Sequence, residues 1–292
     1  MTAAAALLLA ILIWASNSIM VKVVLREISP LTLTWLRFLV AALFYLPYAA
    51  GIWRRAPRYT PREWALLVVA GIALVPVFSL TLYWALIYTS VANTALVRMT
   101  EPAWVLLLAA LVLGERATRR QMAGLALALL GTAALLLLGR GPAGGGEHHV
   151  LGMAFMVANS LAWVVYILCF KDLLRHHRVT QVTVHAALAG SAVLFLVTGP
   201  THSAAVAAEA AAMSVTAWAL VIAMALLVTI GSNQLFSYGL QRVTAGAAAT
   251  YAYLTPVLAA LLAWIFLGEA ITASVVVCGV VIAAGVYLVN RA

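Results

Sequence analysis

Charged residues are scarce in this sequence. Its 292 residues include only 8 acidic and 17 basic side chains, so that 9% of the chain is charged and 66% is hydrophobic. Soluble domains carry about 25% charged residues, and this deficit excludes an ordinary soluble enzyme. Ten membrane-spanning helices of about 20 residues each would use roughly 200 residues. The rest is too short for a separate soluble domain, so we interpret the chain as a polytopic membrane protein.

Cysteines and enzyme motifs are also few. Cys169 and Cys278 are the only cysteines, and both lie in apolar runs, which excludes a disulfide framework or a cysteine-based zinc motif. The HExxH, GxSxG, CxxC and Walker A patterns do not occur. The pairs His148-His149 and His176-His177 fall between apolar segments, where we expect solvated side chains. We therefore expect a protein that is not an enzyme, with no catalytic residue, metal site or cofactor.

Ten apolar segments can be separated at charges and at glycine or proline clusters. The predicted fold class is an all-α integral membrane protein with ten transmembrane helices. Most connections are short, and one of the longer ones covers residues 201–212. The predicted spans lie near 3–24, 31–51, 64–87, 91–113, 119–138, 150–170, 179–199, 213–238, 244–267 and 271–290.

The basic residues are distributed unevenly between the two sets of connections. With the N-terminus inside the cell, 12 of the 17 Lys and Arg side chains fall on the inner side, three on the outer side and two within spans. Cytoplasmic connections of membrane proteins carry such an excess. We therefore predict cytoplasmic N- and C-termini in a bacterial-type inner (plasma) membrane. The same bias explains the net charge of +9 without a nucleic-acid partner.

The two halves of the chain share an internal repeat. Each half contains five spans, an odd number, so the two copies must have opposite orientations. Such inverted repeats are typical of secondary transporters, whose substrate site lies near the midplane between the halves. We predict a first repeat over 1–140 and a second over 150–292, joined by a glycine-rich linker within one membrane domain. A shift of 154 residues aligns Pro102 with Pro256, Gly114-Glu115 with Gly268-Glu269, and Gly131 with Gly285.

Several of these residues carry a resemblance to a known family. The first span contains Trp-Ala-Ser-Asn at 14–17, the second contains Leu-Arg-Phe at 36–38, and a proline followed by Gly-Glu closes spans four and nine. With the inverted repeats, this pattern resembles the drug/metabolite transporter superfamily and, within it, the EamA-type exporters, some of which export aromatic amino acids. The resemblance covers essentially the whole chain. It implies a basket of ten helices around a central cavity and the export of amino acids or related metabolites.

Polar and aromatic side chains within the spans are the candidate substrate-binding residues. Aromatic rings stack on an apolar ligand, while nearby amides bind its polar end. Alternatively, the same side chains only pack helix against helix. Spans one and six each place a tryptophan and an asparagine on one helix face, and in spans three and eight Trp84 corresponds to Tyr238. The candidates are Trp14, Asn17, Trp84, Asn159, Trp163, Tyr166, Asn233, Gln234 and Tyr238.

Span four contains two charges and a proline. Arg98 and Glu101 are three residues apart, so they can pair on one helix face. The pair either has a function, with Arg98 as a carboxylate ligand or Glu101 as a proton carrier, or it is a buried structural pair. Pro102 and its counterpart Pro256 in span nine interrupt the helical hydrogen bonds. These breaks either expose backbone groups to a ligand or are static kinks.

The sequence predicts a secondary transporter that exports amino acids, aromatic and other apolar ones, by alternating access. Its partners are then a small-molecule substrate and the lipid bilayer, and we expect a monomer. The alternative is an exporter of hydrophobic drugs or other small metabolites. The small cationic-drug antiporters of the superfamily rely on a glutamate in the first span, which this span lacks, and a carrier of phosphorylated metabolites would need more inward basic residues than Arg37 and Arg98.

Overall fold

The computed structural model describes residues 2–53, 58–101, 104, 118–138, 148–240, 242 and 254–290. Within these residues every regular element is a helix. The α-helices are α1 (Ala3–Val24), α2 (Pro30–Trp53), α3 (Pro61–Ile72), α4 (Phe78–Tyr88), α5 (Val91–Arg98), α6 (Arg119–Leu138), α7 (His149–Leu173), α8 (Val179–Ala212), α9 (Val215–Ala223), α10 (Ser232–Leu240), α11 (Leu254–Leu267) and α12 (Ala273–Asn290). Two π-helical segments, π1 (Ala73–Val77) and π2 (Met224–Gly231), join α3 to α4 and α9 to α10.

Six helical stretches are long and apolar enough to cross a membrane by length and composition. Two shorter apolar helices, Leu254–Leu267 and Ala273–Leu288, follow near the C-terminal end. The described part of the chain is therefore all-helical, with the helix lengths and composition of a membrane protein. The six long stretches are Ala3–Val24, Pro30–Gly51, Pro61–Tyr88, His149–Leu173, Val179–Ala212 and Val215–Phe236.

Most described helices begin and end within about three residues of the predicted spans, but the prediction of a connection over 201–212 is wrong. Helix α8 continues through it and is 34 residues long. This stretch is rich in alanine, which has the highest helix propensity. A helix of this length extends for about 50 Å, more than the roughly 30 Å of a hydrocarbon core. Pro102, Gly114-Glu115 and the first part of predicted span nine lie outside the described residues.

The two π-helical segments correspond to each other under the 154-residue shift of the predicted repeat. A shift of 154 residues carries 73–77 onto 227–231, within π2. In π1, Pro76 has no N–H to donate to an α-helical bond. In π2, the hydroxyl of Thr229 donates to the carbonyl of Met224, five residues earlier, at 3.2 Å. Segments of this kind are frequent at functional sites.

The chain forms two compact units, and each draws on both halves of the sequence. The first unit comprises Met1–Val21, Trp84–Leu161 and Ser232–Ala292, and the second comprises Lys22–Tyr83 and Ala162–Gly231. The 154-residue shift carries 84–138 onto 238–292 within the first unit. It likewise carries 22–77 onto 176–231 within the second unit.

Helices α6 and α12 pack closely in the first unit because glycines leave room for the facing helix. A Cβ atom built on Gly131 would lie 2.8 Å from Cγ1 of Ile282, and one built on Gly285 would lie 2.5 Å from the backbone nitrogen of Ala128. Under the 154-residue shift Gly131 becomes Gly285 and Ala128 becomes Ile282. The two contacts are therefore equivalent to each other, as in a two-fold interface.

Helices α3 and α8 pack in the second unit through a similarly close contact. A Cβ atom on Gly71 would clash with the carbonyl oxygen of Ala186, and one on Gly190 would clash with that of Gly71. Small residues of this kind let membrane helices approach at backbone distance. Beside this contact, buried side chains of α3, α7 and α8 form an apolar cluster that includes Leu67, Ala70, Tyr166, Leu173, Val182 and Ala186.

Glutamates from distant parts of the chain cap several helix ends. In the second unit, Glu27 accepts hydrogen bonds from the N–H and hydroxyl of Ser214, the N-cap of α9, at 2.8 and 2.7 Å. Glu209 accepts one from the N–H of Ser29, just before α2, at 2.7 Å. These bonds satisfy N–H groups that have no partner within their own helix. The two bonds from Ser214 also lower the pKa of Glu27 below its usual value.

The predicted Gly-Glu motif at 268–269 is another helix-end contact, in the first unit. Gly268 ends α11 with a φ of +68°, a left-handed conformation that glycine adopts without strain. The chain then turns so that the buried Glu269 accepts the N–H of Val91, at the start of α5, at 2.8 Å. The motif therefore joins α11 to α5.

Candidate functional site

The structure places most of the candidate residues in the first unit. Nine of the candidate substrate-binding and charged residues belong to the first unit, whereas Trp163 and Tyr166 belong to the second unit. Pro256 is the third residue of the described part of α11, within the first unit. The nine are Trp14, Asn17, Trp84, Arg98, Glu101, Asn159, Asn233, Gln234 and Tyr238.

Arg98, Glu101 and Asn159 form a polar group in the first unit. Nε of Arg98 lies 3.6 Å from Oε1 of Glu101, and its Nη2 donates to Oδ1 of Asn159 at 3.5 Å. Asn159 is fully buried, while the side chains of Arg98 and Glu101 are 32% and 17% exposed. We call these three residues the polar triad. The i,i+3 spacing predicted the ion pair, whereas the contact with Asn159 joins residues 61 positions apart.

The triad lies near the middle of a membrane-spanning helix. Asn159 is the eleventh residue of α7, which runs from His149 to Leu173. At a rise of about 1.5 Å per residue, it is about 15 Å from the start of the helix. This distance is about half the thickness of a hydrocarbon core. Charges at such a depth are costly and mark functional sites in membrane proteins.

Aromatic side chains lie one turn away from the triad along α7. Phe155 precedes Asn159 by four residues, so the two side chains share a helix face. The ring of Phe155 lies 5.3 Å from that of Trp84 and 6.2 Å from that of Tyr88, between centroids. The candidate Trp84 therefore belongs to an aromatic group, with Tyr88 and Phe155, beside the polar triad.

The remaining candidates of the first unit lie on α1 and α10. Trp14 contacts the ring of Phe236 at 4.9 Å, and Asn17 is buried. The guanidinium of Arg242 lies 3.6 Å from the ring centre of Tyr238 and donates to its carbonyl at 2.9 Å. One face of the Tyr238 ring is thus occupied by a cation. Gln234 is exposed, and the side chain of Asn233 lies outside the described residues.

Trp163 and Tyr166 pack against other aromatic and apolar side chains in the second unit. The ring of Trp163 lies 5.4 Å from that of Phe78 and 5.3 Å from that of Tyr166. Tyr166 is buried in the apolar cluster between α3, α7 and α8. These contacts favour a packing role for both residues, and their contact with a substrate stays a prediction.

An open apolar groove of about 260 Å³ borders π1 in the second unit. A surface without polar groups cannot satisfy the charged head of an amino acid. The groove is therefore a poor candidate for the binding of such a head. Its lining residues are Val69, Ile72, Ala73, Val77, Ala162 and Val165.

Arg37 forms a hydrogen-bonded network that the sequence did not predict in detail. The residue is buried in α2 and donates to the hydroxyl of Tyr83 at 3.0 Å and to that of Thr229, in π2, at 3.2 Å. The hydroxyl of Tyr45 donates to the carbonyl of Thr229 at 3.2 Å. An arginine within a predicted span was the only signal for this network. It joins α2 and α4 to the irregular turn of π2.

The expectation that the paired histidines are solvated is wrong for one member of each pair. His149 is buried, and its Nδ1 lies 3.2 Å from the hydroxyl of Thr89. His177 is also buried, and its Nε2 lies 3.3 Å from Oε1 of Glu63. Both histidines lie beside a helix end, where side chains of distant elements cover them. The described residues contain no group of three or more side chains able to hold a metal ion.

Comparison with known proteins gives similarity over nearly the whole chain. A family model described as the EamA-like transporter family matches residues 1–137 and 150–291. A probable terminal-alkyne amino-acid exporter of Streptantibioticus cattleyicolor is 28% identical over 98% of this chain and 92% of its own length. A probable amino-acid metabolite efflux pump of Salmonella typhimurium is 26% identical over 96% and 92%. A protein of known crystal structure aligns over 99% of this chain and 96% of its own with a TM-score of 0.60, at 24% identity, a likeness that concerns the fold alone.

Proposed function

Since this chain belongs to the EamA-like transporter family, we propose that it exports amino acids, aromatic and other apolar ones, across the bacterial plasma membrane by alternating access. Family membership makes the protein a multi-pass membrane transporter and not an enzyme. The substrate class rests on one observation. A polar triad with both signs of charge lies about halfway along a spanning helix, beside an aromatic group.

The two relatives named above support this substrate class. One is described as a probable exporter of a terminal-alkyne amino acid and the other as a probable efflux pump for amino-acid metabolites. Both align with this chain along nearly their whole length. A zwitterion with an apolar side chain needs a donor, an acceptor and an apolar surface. The triad and the aromatic group of the first unit supply all three.

We further propose ten spans arranged as two inverted repeats, over 1–140 and 150–292. Three features support the repeat: the separate family matches to each half, the equivalent positions of π1 and π2, and the reciprocal contacts of Gly131 and Gly285. Each feature follows the 154-residue shift or the division into halves. None of them depends on leucine and alanine identities, which arise easily by chance.

Contacts between helix ends support the number of spans. Connections on the same side of a membrane are separated by an even number of spans. In the ten-span order, the bond of Glu27 with Ser214 links the first connection to the seventh. The contact of Glu63 with His177 links the second connection to the sixth. Glu269 bonds the N–H of Val91, between connections nine and three. Every contact joins two odd-numbered or two even-numbered connections, as ten spans require.

The function is tested by counterflow in proteoliposomes that contain the purified protein. Labelled phenylalanine and leucine should exchange against the unlabelled amino acids, whereas liposomes without protein should give no signal. A cationic dye and a sugar nucleotide serve as the other substrate classes. Exchange of the dye without exchange of any amino acid would favour the hydrophobic-drug alternative and refute the proposal.

The orientation is tested separately by cysteine labelling in cells. We propose cytoplasmic N- and C-termini and a monomer. A cysteine placed between 139 and 149 should then react with an impermeant thiol reagent from outside, and one placed between 57 and 60 should not. Equal reaction at both places would refute the inverted five-plus-five arrangement.

A further inference from the structure

We propose that Arg98 and Glu101 together bind the charged head of the exported amino acid, Arg98 its carboxylate and Glu101 its ammonium group. This inference rests on the proposed function and names the residues that recognise the substrate. The ion pair then opens to include the substrate. Arg98 exchanges part of its contact with Glu101 for the substrate carboxylate, and Glu101 exchanges part of its contact with Arg98 for the substrate ammonium group.

The charges of the pair are complementary to those of a zwitterion. Arg98 and Glu101 carry opposite charges and lie within 3.6 Å of each other. The α-carboxylate and α-ammonium of an amino acid are also opposite and adjacent. Placed head to tail, the four charges alternate in sign and sum to zero. Binding therefore adds no net charge at a depth where an unpaired charge is costly.

The geometry of the pair leaves it able to open. Charge-assisted N–H···O bonds are usually about 2.7–2.9 Å long. The contacts of Arg98 with Glu101 and Asn159 are longer, at 3.6 and 3.5 Å. A third of the Arg98 side chain is exposed. A guanidinium presents five N–H donors in a planar fork that matches a carboxylate in bidentate geometry, so a substrate carboxylate can bind Arg98 at a shorter distance than the carboxylate of Glu101 does.

Asn159 acts on the substrate through Arg98 and is a positioning residue. Its side chain is fully buried, and its Oδ1 accepts from Nη2 of Arg98. This contact restrains one end of the guanidinium beside Glu101. Phe155 precedes Asn159 by one turn of α7, so the aromatic group of Trp84, Tyr88 and Phe155 can contact an apolar side chain of the bound amino acid.

The test compares substrate analogues in which one charge is removed. Uptake of labelled phenylalanine into proteoliposomes is measured in competition with phenylalanine, with phenylalaninamide, which lacks the carboxylate charge, and with N-acetylphenylalanine, which lacks the ammonium charge. A hydrogen bond to a charged group contributes about 1.5–3 kcal/mol. At about 1.4 kcal/mol per factor of ten, the wild type should prefer phenylalanine over each analogue by roughly 10-fold to 100-fold.

Each variant should lose only one of these preferences. Arg98→Gln should reduce the preference over phenylalaninamide to within about threefold and retain the preference over N-acetylphenylalanine, and Glu101→Gln should do the reverse. Arg98→Lys and Glu101→Asp retain the charges and should retain the order of preference. Arg37→Gln is the matched control, because it removes another buried intramembrane arginine, and it should leave both ratios unchanged. Thermal stabilisation of purified protein by the same three compounds gives the ratios where transport is too slow to measure.

Two results would overturn the inference, and they differ from a failure of the proposed function. Unchanged preferences for phenylalanine over the two analogues in Arg98→Gln and Glu101→Gln would show that the pair does not bind the charged groups of the substrate. A double variant, Arg98→Leu with Glu101→Leu, that folds and transports phenylalanine with wild-type preference would assign the pair a structural role, since apolar residues often replace such pairs. Wild-type protein that neither transports nor binds any amino acid would instead refute the proposed function and this inference with it.

Discussion

The close contact between α3 and α8 makes Gly71 sensitive to the addition of a single methyl group. A Cβ atom at this position would clash with the carbonyl oxygen of Ala186 and would lie 2.6 Å from the backbone nitrogen of Gly190. Ordinary contacts of a Cβ atom begin near 3.4 Å. Both facing atoms belong to the backbone of α8 and cannot rotate away. We therefore expect Gly71→Ala to force the two helices apart by about 1 Å.

The expected loss of stability combines two opposing effects. Added volume in a packed interior costs about 1–3 kcal/mol, whereas alanine favours a helix over glycine by about 0.5–1 kcal/mol. The net loss is up to about 2.5 kcal/mol. At about 2–4 °C per kcal/mol, the midpoint of thermal unfolding should fall by several degrees.

The assay is the fraction of detergent-solubilised protein that remains monodisperse after heating, measured by size-exclusion chromatography. Gly51→Ala is the control, because Gly51 lies in α2 with no atom within 4 Å of the added Cβ. It should leave the midpoint unchanged or raise it slightly. Equal midpoints for Gly71→Ala and Gly51→Ala would refute the close packing of α3 on α8.

Three further predictions concern other contacts. Gly268→Ala should destabilise the protein by about 1–2 kcal/mol, because alanine is strained at positive φ, and Gly268→Asn should cost less; equal loss in both variants, measured by the same heating assay, would contradict this reason. Glu27→Gln should weaken the pH dependence of stability in acid. The bonds from Ser214 lower the pKa of Glu27, so the stability that the Glu27 carboxylate contributes is present above the usual carboxyl pKa and is lost as the pH falls through the lowered pKa. A wild-type pH profile of stability in the variant would contradict this. Trp163→Ala should lower the unfolding midpoint and leave the preference of transport for aromatic amino acids near the wild-type value. Trp84→Ala should lower that preference and leave the midpoint near the wild-type value. The reverse result would place the aromatic contact of the substrate in the second unit.

The positions of the long helices were predictable because each of them is an apolar run between polar boundaries. Helices α1 and α6 coincide with the segments predicted over 3–24 and 119–138. Within a membrane every backbone polar group must bond within its own segment, so hydropathy and length alone predict such a helix. The extension of α8 beyond residue 199 was missed because its alanines were read as a connection and not as a helix.

Features that depend on distant partners were not predictable. The burial of His177 follows from its contact with Glu63, more than 100 residues earlier in the chain, and no local pattern indicates it. In π2, the hydroxyl of Thr229 likewise donates to the carbonyl of Met224 and accepts a hydrogen bond from the guanidinium of Arg37, a residue of α2. For the candidate site, spacing predicted the pair of Arg98 and Glu101, but only the fold brings Asn159 to them.

The proposed binding pair is not repeated, whereas the helix packing around it is. Gly131 and Gly285 make equivalent contacts in the two halves, but the residues that correspond to Arg98 and Glu101 are Ala252 and Thr255. A second charged pair would cost about 2.5–3.5 kcal/mol for each charge at membrane depth. One amino-acid head needs only one such pair, so a second pair would bring no gain in substrate binding to offset this cost, and we expect the charges that recognise the substrate to lie in the first half of the chain alone.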